Sequence, residues 1–493
     1  MQGFSELLIG LWMRLHALRR LHRNLCGCVY RHRPADSITL RQTRTVLGYQ
    51  ALPVLFPYRF RRAACRTLFQ LRSLAAEGPR WDVAIGVFVI WGVVGGLWST
   101  LDPFGLGRAS SAYSQQIVDR VTAPFYSSAG QDRIVVVLID DATLESRGEG
   151  WPPPYDTYST FIYRILRQHP KALFVDIMLE RMRLRDKESF ELAHDTLAAL
   201  VPEYGIPLIF GQSSPGAPNL FKDIPGVETA AITWNGPGYP LLLSGVGQTQ
   251  LTPAASLYQH VCAEADIGSP GCPENIDPPH APPLVPQWGI AISQTMRDRE
   301  LLPDDDTLFV APTFADRLLR SGSLLCHSLF VGLDSNAADA AREKWPYAVT
   351  VMAHDLDKPQ IRGLLRDKAV LLGVSIAGST DMVVTPANGK LPGVYLHAMA
   401  LDNLMRYGSR YYTDTGLSWI QSLTMPLCIA ILAAWVLGKW PNGGSLYLCL
   451  ALCLVLAMSA TTYLVFRWAP QNWVGNFLLV SLIYRLQKRD AMI

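Results

Sequence analysis

Four apolar segments, one before and three after a long polar stretch, constrain this chain more than any other feature. The first covers residues 81–101, and apolar runs return at about 417–438, 445–467 and 472–484. A helix needs about 20 apolar residues to cross a bilayer, so the first three runs are long enough and the fourth is short. The sequence therefore predicts an α-helical membrane bundle of four spans, with one large domain outside the bilayer.

Charge is divided unequally along the chain. Residues 1–80 hold 14 Arg, no Lys and three acidic residues, whereas residues 103–415 hold 25 basic and 35 acidic ones. Because positive residues concentrate on the cytoplasmic flanks of spans, the basic segment is predicted to be a cytoplasmic arm. The domain at 102–415 is then outside. Three spans within 416–487 place both termini, including a tail at 488–493, in the cytoplasm.

The cytoplasmic arm carries an apolar stripe near its start. Its residues recur every three or four positions, as on one face of a helix: Phe4, Leu8, Leu11, Leu15, Leu18, His22 and Leu25. Two interpretations stay open. The helix lies on an anionic membrane surface, or it docks on a partner protein. No nucleic-acid-binding motif accompanies the arginines, so nucleic acid is not expected as a partner.

The external segment alternates apolar strand patterns with helical ones. Predicted strands cover 133–141, 172–177, 207–212 and 368–375, and predicted helices cover 156–168, 187–200 and 393–405. Continuous apolar strands with helices between them are typical of a parallel sheet covered on both faces. The predicted fold class is therefore an α/β external domain with a mostly parallel sheet.

Gly and Pro dominate a stretch near residues 213–288, where 268–286 alone holds seven prolines. Such composition without periodicity is interpreted as an ordered-coil insertion or lid. The runs 307–312 and 328–333 are candidates for further strands.

Two cysteines of the external segment, Cys262 and Cys272, lie ten residues apart across a Pro/Gly turn. If the space outside is an oxidising periplasm, a disulfide between them is predicted. The remaining cysteines do not show metal-ligand spacing, so no metal is expected.

Polar residues follow several predicted strands: Asp140, Asp141, Asp176, Gln212 and Ser375. In open parallel sheets, ligands bind beyond the carboxyl ends of the strands, so these residues are candidates for a ligand-binding pocket. The alternative is that they cap helices and brace loops. No nucleophile motif, HExxH or Gly-rich phosphate loop accompanies them, so no catalytic residue, enzymatic activity or cofactor is expected.

Two blocks of residues, whose first positions lie more than 200 residues apart, carry a family signature. The opening block contains Asp140-Asp141, Leu144, Trp151-Pro152 and Asp176. The closing block contains Gly373, Asp381, Thr385, Pro386, Pro392, Gly393, His397, Asp402 and Asn403. These blocks, with one span before and three after, resemble the CHASE sensor domain, type 2 (cyclases/histidine kinases associated sensory extracellular). The resemblance covers about 100–487 and is absent from 213–365.

The resemblance implies an extracytoplasmic sensor in a bacterial inner membrane, with its domain in the periplasm. Family members usually continue after the last span into a signalling enzyme, whereas this chain has about nine residues there. A sensor or receptor subunit of this form is expected to signal through a separate protein, by the arm or the spans. A structural scaffold in an envelope assembly is the alternative, and a periplasmic hydrolase is least favoured.

The resemblance also gives expectations for single residues. Asp381, Pro392-Gly393 and Asn403 are expected to be turn and cap residues. His397 has apolar neighbours on its predicted helix, so independently of the resemblance it is expected to be a buried hydrogen-bonding residue rather than a base. The lipid bilayer is an expected partner, and a homo-oligomer is left open. The ligand and the protein partner are not identified by the sequence.

Overall fold

A computed structural model describes most of the chain between residues 105 and 476. The described ranges are 105–292, 313–330, 346–414, 418–439, 444–469 and 472–476, without 235–237, 246, 264–265 and 380, plus positions 85, 88, 102, 296, 298, 299 and 301. The predicted arm at 1–80, most of the first span and the predicted tail lie outside them. The chain divides into two compact units: a sheet unit (115–416 and 462–470) and a helical unit (1–114, 417–461 and 471–493).

A six-stranded parallel sheet forms the centre of the sheet unit. The strands among the described residues are β1 (Ile134–Asp140), β2 (Ala172–Val175), β3 (Leu208–Gln212), β4 (Val227–Ala231), β5 (Leu242–Ser244), β6 (Thr249–Leu251), β7 (Val349–Met352), β8 (Ala369–Ser375), β9 (Met382–Thr385) and β10 (Gly389–Pro392). The sheet has the order β4-β3-β2-β8-β1-β7, and β5–β6 and β9–β10 form two antiparallel ribbons. The predicted α/β fold with a mostly parallel sheet is confirmed.

The helices among the described residues of both units are α1 (Leu106–Thr122), α2 (Asp141–Glu145), α3 (Tyr155–Leu166), α4 (Lys187–Tyr204), α5 (Pro253–Val261), α6 (Phe314–Phe330), α7 (Val394–Tyr407), α8 (Ser418–Lys439) and α9 (Gly444–Leu464).

Four of these helices cover the two faces of the sheet: α3 and α4 on one face, and α5 and α7 on the other. Val135 and Val137 of β1 belong to the core formed with α3 and α4. Val136 and Leu138 belong to the core formed with α5 and α7. Because both faces are buried, the strand is apolar without alternation.

Helix boundaries follow local chemistry. Helix α4 ends at Gly205, which adopts the left-handed conformation (φ 61°) that glycine accepts at a helix C-terminus. Pro170 follows closely after α3, and proline cannot continue a helix. The predicted helices at 156–168 and 187–200 are therefore correct in type, with boundaries shifted by a few residues.

The region interpreted as an insertion near 213–288 contributes to the domain core. Within it, β4 pairs with β3 in the main sheet, and α5 packs against β2. The insertion interpretation is thus wrong for these two elements. The sequence of β4, VETAA, has no long apolar run, since an edge strand is buried less than a central one.

Two other expectations concern the segment between residues 300 and 352. Residues 328–330 form the end of α6, so the strand predicted at 328–333 is wrong for them, and 307–312 lies outside the described residues. Strand β7 was not predicted, although it pairs with β1 along the sheet edge. Its four residues, VTVM, are too few for a periodic signal.

In the helical unit, α8 and α9 match two of the predicted spans. Their buried apolar residues form one cluster: Met425, Ile429, Ala430, Ala433, Ala434, Val436, Tyr447, Ala451 and Val455. Phe88, from the predicted first span, packs against this cluster. Among the described residues, one helix is long and apolar enough to cross a membrane, Leu446–Leu464, with a mean hydropathy of 1.9.

Candidate functional site

The carboxyl ends of the central strands meet at one edge of the sheet. Asp140 pairs with Ser375 in the parallel register of β1 and β8. Asp176 directly follows β2, and Gln212 ends β3. Four of the predicted polar positions therefore share the edge where open parallel sheets bind ligands.

Asp140 and Asp141 hold the backbone at this edge. Asp140 caps α2, because its Oδ1 accepts a hydrogen bond from the Thr143 N–H at 2.9 Å. Thr143 Oγ1 also bonds this carboxylate and lies 2.9 Å from His354 Nδ1. Asp141 Oδ2 accepts from the Ala377 N–H at 2.9 Å, in the loop after β8. Both acids thus cap or brace in this structure, which is the alternative that the sequence left open.

Asp176 is buried and belongs to a different network. Its Oδ1 lies 3.8 Å from Nε2 of His397 on α7. Tyr239 Oη lies 2.8 Å from His397 Nδ1 and accepts from the Ala254 N–H at 3.1 Å. Each ring nitrogen of His397 therefore faces one polar partner: Nδ1 faces the tyrosine hydroxyl and Nε2 faces Asp176. We call Asp176, His397 and Tyr239 the buried polar chain.

Burial sets the protonation states of the buried polar chain. Removal from water raises the pKa of the Asp176 carboxyl to about 8, and the charge of Asp381 adds to this shift. Burial lowers the pKa of His397 to about 3. A neutral acid therefore faces a neutral imidazole at pH 7, rather than an ion pair. The structure places His397 as the predicted buried hydrogen-bonding residue.

Gln212 is buried at the end of β3 and holds the loop that follows. Its side-chain amide donates to the Ser214 carbonyl at 3.0 Å and to Oε1 of Gln250 on β6. Gln250 in turn donates to Thr229 Oγ1 on β4 at 2.7 Å. Gln212 thus fixes the loop after β3 against the β5–β6 ribbon.

A cavity of about 860 Å³ opens beyond β3 and β4. Its lining comes from the loops after these strands, the β5–β6 ribbon and two later loops: Ser214, Pro215, Gly216, Thr233, Trp234, Gly238, Pro240, Leu243, Ser244, Gly245, Gln248, Pro283 and Asp414. The ring of Trp234 lies 4.9 Å from that of Tyr239 and 6.3 Å from that of His397, between centroids. One wall of the cavity therefore contacts the buried polar chain.

Sequence reasoning missed this cavity. None of the predicted ligand-binding residues lines it, and Gln212 acts on it through the loop carrying Ser214. Its central side chain, Trp234, lies in the region interpreted as an insertion. One local feature of the sequence could have indicated the cavity. Trp234 stands shortly after β4 and directly before the Asn-Gly-Pro-Gly run at 235–238.

The closing motif residues build the connection from β8 to α7. Thr385 Oγ1 accepts a backbone N–H at 3.0 Å in the turn between β9 and β10. The Pro386 carbonyl accepts from Arg120 Nε at 2.9 Å. After Pro392 ends β10, the Gly393 N–H donates to the Asp381 carbonyl at 3.2 Å. Asp381 and Gly393 thus have the turn role that the resemblance implied, whereas the expectation for Asn403 is wrong, because it lies within α7 and caps neither end.

The opening motif residues shape the entry to α3. Trp151 is 45% exposed, and its bond to Pro152 is cis. Arg183 donates to the carbonyls of Pro152 and Pro153, at 3.0 and 2.6 Å. The motif therefore fixes the loop between α2 and α3.

Asp402 and Asn403 tie α7 to other parts of the sheet unit. Tyr126 Oη donates to Asp402 Oδ2 at 2.5 Å. The side chain of Asn403 accepts from the Gln287 N–H and donates to the Gln287 carbonyl, each at 2.9 Å. The Gln287 side chain accepts from the hydroxyl of Tyr463 in the last turn of α9. Hydrogen bonds thus connect α7 to Gln287 and Tyr463 within the sheet unit.

Cys262 and Cys272 are joined by a disulfide. Both residues are buried beside α5 in the core shared with α7. The bond closes the turn after α5 onto the helix end.

Comparison with known proteins gives one family. Its model, the CHASE2 domain, matches residues 89–439. No curated protein and no solved structure matches the chain. The match includes both motif blocks and covers more than half of the 493 residues, so the resemblance to this extracytoplasmic sensor domain is confirmed. The chain belongs to the CHASE2 domain family.

Proposed function

We propose that this protein is a membrane-anchored extracytoplasmic receptor that binds a small ligand and signals through a separate protein. The cavity beyond β3 and β4 carries the proposal. Its volume of about 860 Å³ lies within the range of small-molecule sites. It also lies at the sheet edge where parallel α/β folds bind ligands.

Contacts of α7 supply a route from the cavity. A ligand that moves Trp234 acts on Tyr239 and His397, which its ring approaches. His397 and Asn403 stand on the same helix, and Asn403 bonds Gln287, the partner of Tyr463. In the proposal, α7 is the element whose position the ligand biases.

Ligand binding is tested by thermal unfolding of the full chain with a small-molecule extract of the cell envelope. The extract should raise the melting temperature of the wild type, since ligands stabilise the state that binds them. Gln248→Trp fills the cavity and should abolish the rise. Gln360→Trp is the matched control, an exposed position outside the lining, and should respond like the wild type. An equal rise in the melting temperature of both variants would mean that the ligand binds outside this cavity.

The partner is proposed to dock on the cytoplasmic arm, whose apolar stripe supports this role. Deleting residues 1–50 should leave membrane insertion intact, because the first apolar segment and the arginines at 59–80 remain. Capture of a kinase or cyclase from mild detergent should be lost. Capture that survives the deletion would move the coupling to the spans. The purified chain by itself is not expected to show cyclase, kinase or hydrolase activity.

A structural scaffold is the second candidate, favoured by the outer face of α6. Three large apolar side chains are exposed there: Phe314 (72%), Leu318 (57%) and Leu319 (73%). Such a patch is typical of a protein-docking surface. The scaffold would be favoured if only envelope machinery is recovered with the protein and this recovery depends on the three exposed side chains. The extract should then leave the melting temperature unchanged.

A further inference from the structure

We infer that the cavity binds a neutral saccharide, with one sugar ring against Trp234 and the sugar hydroxyls against the polar side chains around it. The inference rests on the proposed function and names the ligand class of the same site. Three features of the lining carry it: its charge, its hydrogen-bonding groups and its walls.

The charge of the lining disfavours anionic ligands, and its shortage of aromatic walls disfavours organic cations. Among the described lining residues there is no Lys, Arg or His, and Asp414 is the single ionisable side chain. A phosphate or carboxylate ligand would face this carboxyl without a compensating cation. Sites that bind organic cations usually surround the cation with several aromatic rings. Trp234 is the single aromatic residue of the described lining, so the cavity does not have this form. The lining therefore fits a ligand without net charge.

Hydrogen-bonding groups stand unused around the tryptophan. The side chains of Ser214, Thr233, Ser244 and Gln248 make no hydrogen bond with another described residue. Hydroxyls donate and accept, and a side-chain amide does both with separate atoms. Sugar hydroxyls have the same dual capacity, so this set matches them without requiring a charge.

The aromatic wall is held from behind. Trp234 packs edge-on against Tyr239, with an interplanar angle of 68°. Tyr239 is in turn fixed by His397 and Ala254. A ring held in this way offers its apolar face at low entropic cost, and the C–H face of a sugar ring is complementary to it.

The remaining walls are backbone and proline rings. A Cβ on Gly238 would lie 2.7 Å from Pro283 Cβ, and one on Gly245 would lie 3.0 Å from Pro215 Cβ. A larger residue at either position would shift the wall. These two walls of the cavity are therefore closely packed.

The test measures binding to the full chain in lipid nanodiscs, because maltoside detergents contain a sugar themselves. The probes are the trisaccharide of N-acetylglucosamine and cellotriose, followed by saturation-transfer NMR and calorimetry. Glucose 6-phosphate and tetramethylammonium are the charged comparison probes. At least one neutral trisaccharide should bind, and both charged probes should bind more weakly.

Matched variants assign the binding to the cavity. Trp234→Ala should weaken it at least about tenfold, Trp234→Phe less, and Gln248→Ala by about three- to tenfold. Trp151→Ala removes an exposed tryptophan outside the lining and should bind like the wild type. Absence of trisaccharide binding, tighter binding of a charged probe, or binding that is indifferent to Trp234→Ala would overturn the assignment. If the trisaccharides fail while the envelope extract still stabilises the wild type and not Gln248→Trp, the ligand class is wrong and the receptor function stands.

Discussion

At the scale of single residues, burial gives Asp176 and His397 opposite effects on stability. The pKa of Asp176 rises from 3.8 to about 8 on folding. Between these values the folded protein holds a proton that the unfolded chain releases, so the free energy of unfolding falls as the pH rises. The pKa of His397 drops from 6.5 to about 3. Here the unfolded chain holds the extra proton, so the free energy of unfolding falls as the pH drops below 6.5.

Between pH 6.5 and 8, two buried carboxyls are expected to contribute to the pH dependence of stability. Burial also raises the pKa of Asp119 to about 8. Between pH 6.5 and 8, Asp176 and Asp119 should each lower the free energy of unfolding by about 1–2 kcal/mol. Asp176→Asn should halve the total fall, and His397→Gln should leave it unchanged. Urea unfolding over this pH range measures both; a full fall in Asp176→Asn would mean that Asp176 is ionised in the folded protein.

Tyr239 offers a second residue-scale prediction. Its hydroxyl satisfies both the Ala254 N–H and His397 Nδ1. Tyr239→Phe leaves these two buried groups without that partner and should cost about 1–3 kcal/mol in the free energy of unfolding. Tyr163→Phe, on the exposed side of α3, is the control and should change it by less than about 0.5 kcal/mol. An equal effect of the two substitutions would show that the buried hydroxyl contributes nothing.

At the scale of elements, the contact between β8 and α7 depends on Gly373. A Cβ there would lie 2.6 Å from Cβ and Cγ1 of Val394. Gly373→Ala should therefore push α7 from the sheet and destabilise the fold by about 1–3 kcal/mol. Gly322→Ala is the control on α6, where nothing lies within 4 Å, and should be neutral or stabilising by about 1 kcal/mol. Thermal unfolding compares them, and a stable Gly373→Ala protein would mean that α7 is free to shift.

At the scale of the whole molecule, membrane topology stays a prediction that reporter fusions test. Fusions at residues 1 and 493 should report the cytoplasm, and one near residue 250 the outside, because the basic arm and tail flank four apolar segments. A fusion at 493 that reports the outside would show that the short segment at 472–484 does not cross.

Arg467 opposes this topology mildly, because it lies at the end of the third apolar segment, which the prediction places outside. In the sheet unit its Nη1 donates to the Arg410 carbonyl at 2.6 Å, and its guanidinium lies 4.9 Å from the centre of the Tyr407 ring. Arg467 therefore has a structural role in the same unit as the sheet. This contact explains a positive charge on the outer side of a predicted span.

The sequence by itself determined the features that depend on local pattern. Apolar run length placed α8 and α9, and continuous apolar runs placed β1, β2, β3 and β8. The motif residues of the closing block gave the family, and Asp381 and Gly393 gave the turn before α7. These signals are readable because periodicity, burial on both faces and turn chemistry act between near neighbours.

Only the tertiary structure decided the remaining features, because they join residues that are distant in the chain. Strand β7 is held by pairing with β1, more than 200 residues away, and its four residues carry no period of their own. The buried polar chain unites positions 176, 239 and 397, and its neutral charge state follows from burial that no local pattern reveals. The cavity likewise exists only where loops from β3, β4 and the β5–β6 ribbon meet, since its walls are glycine and proline backbone brought together by the fold.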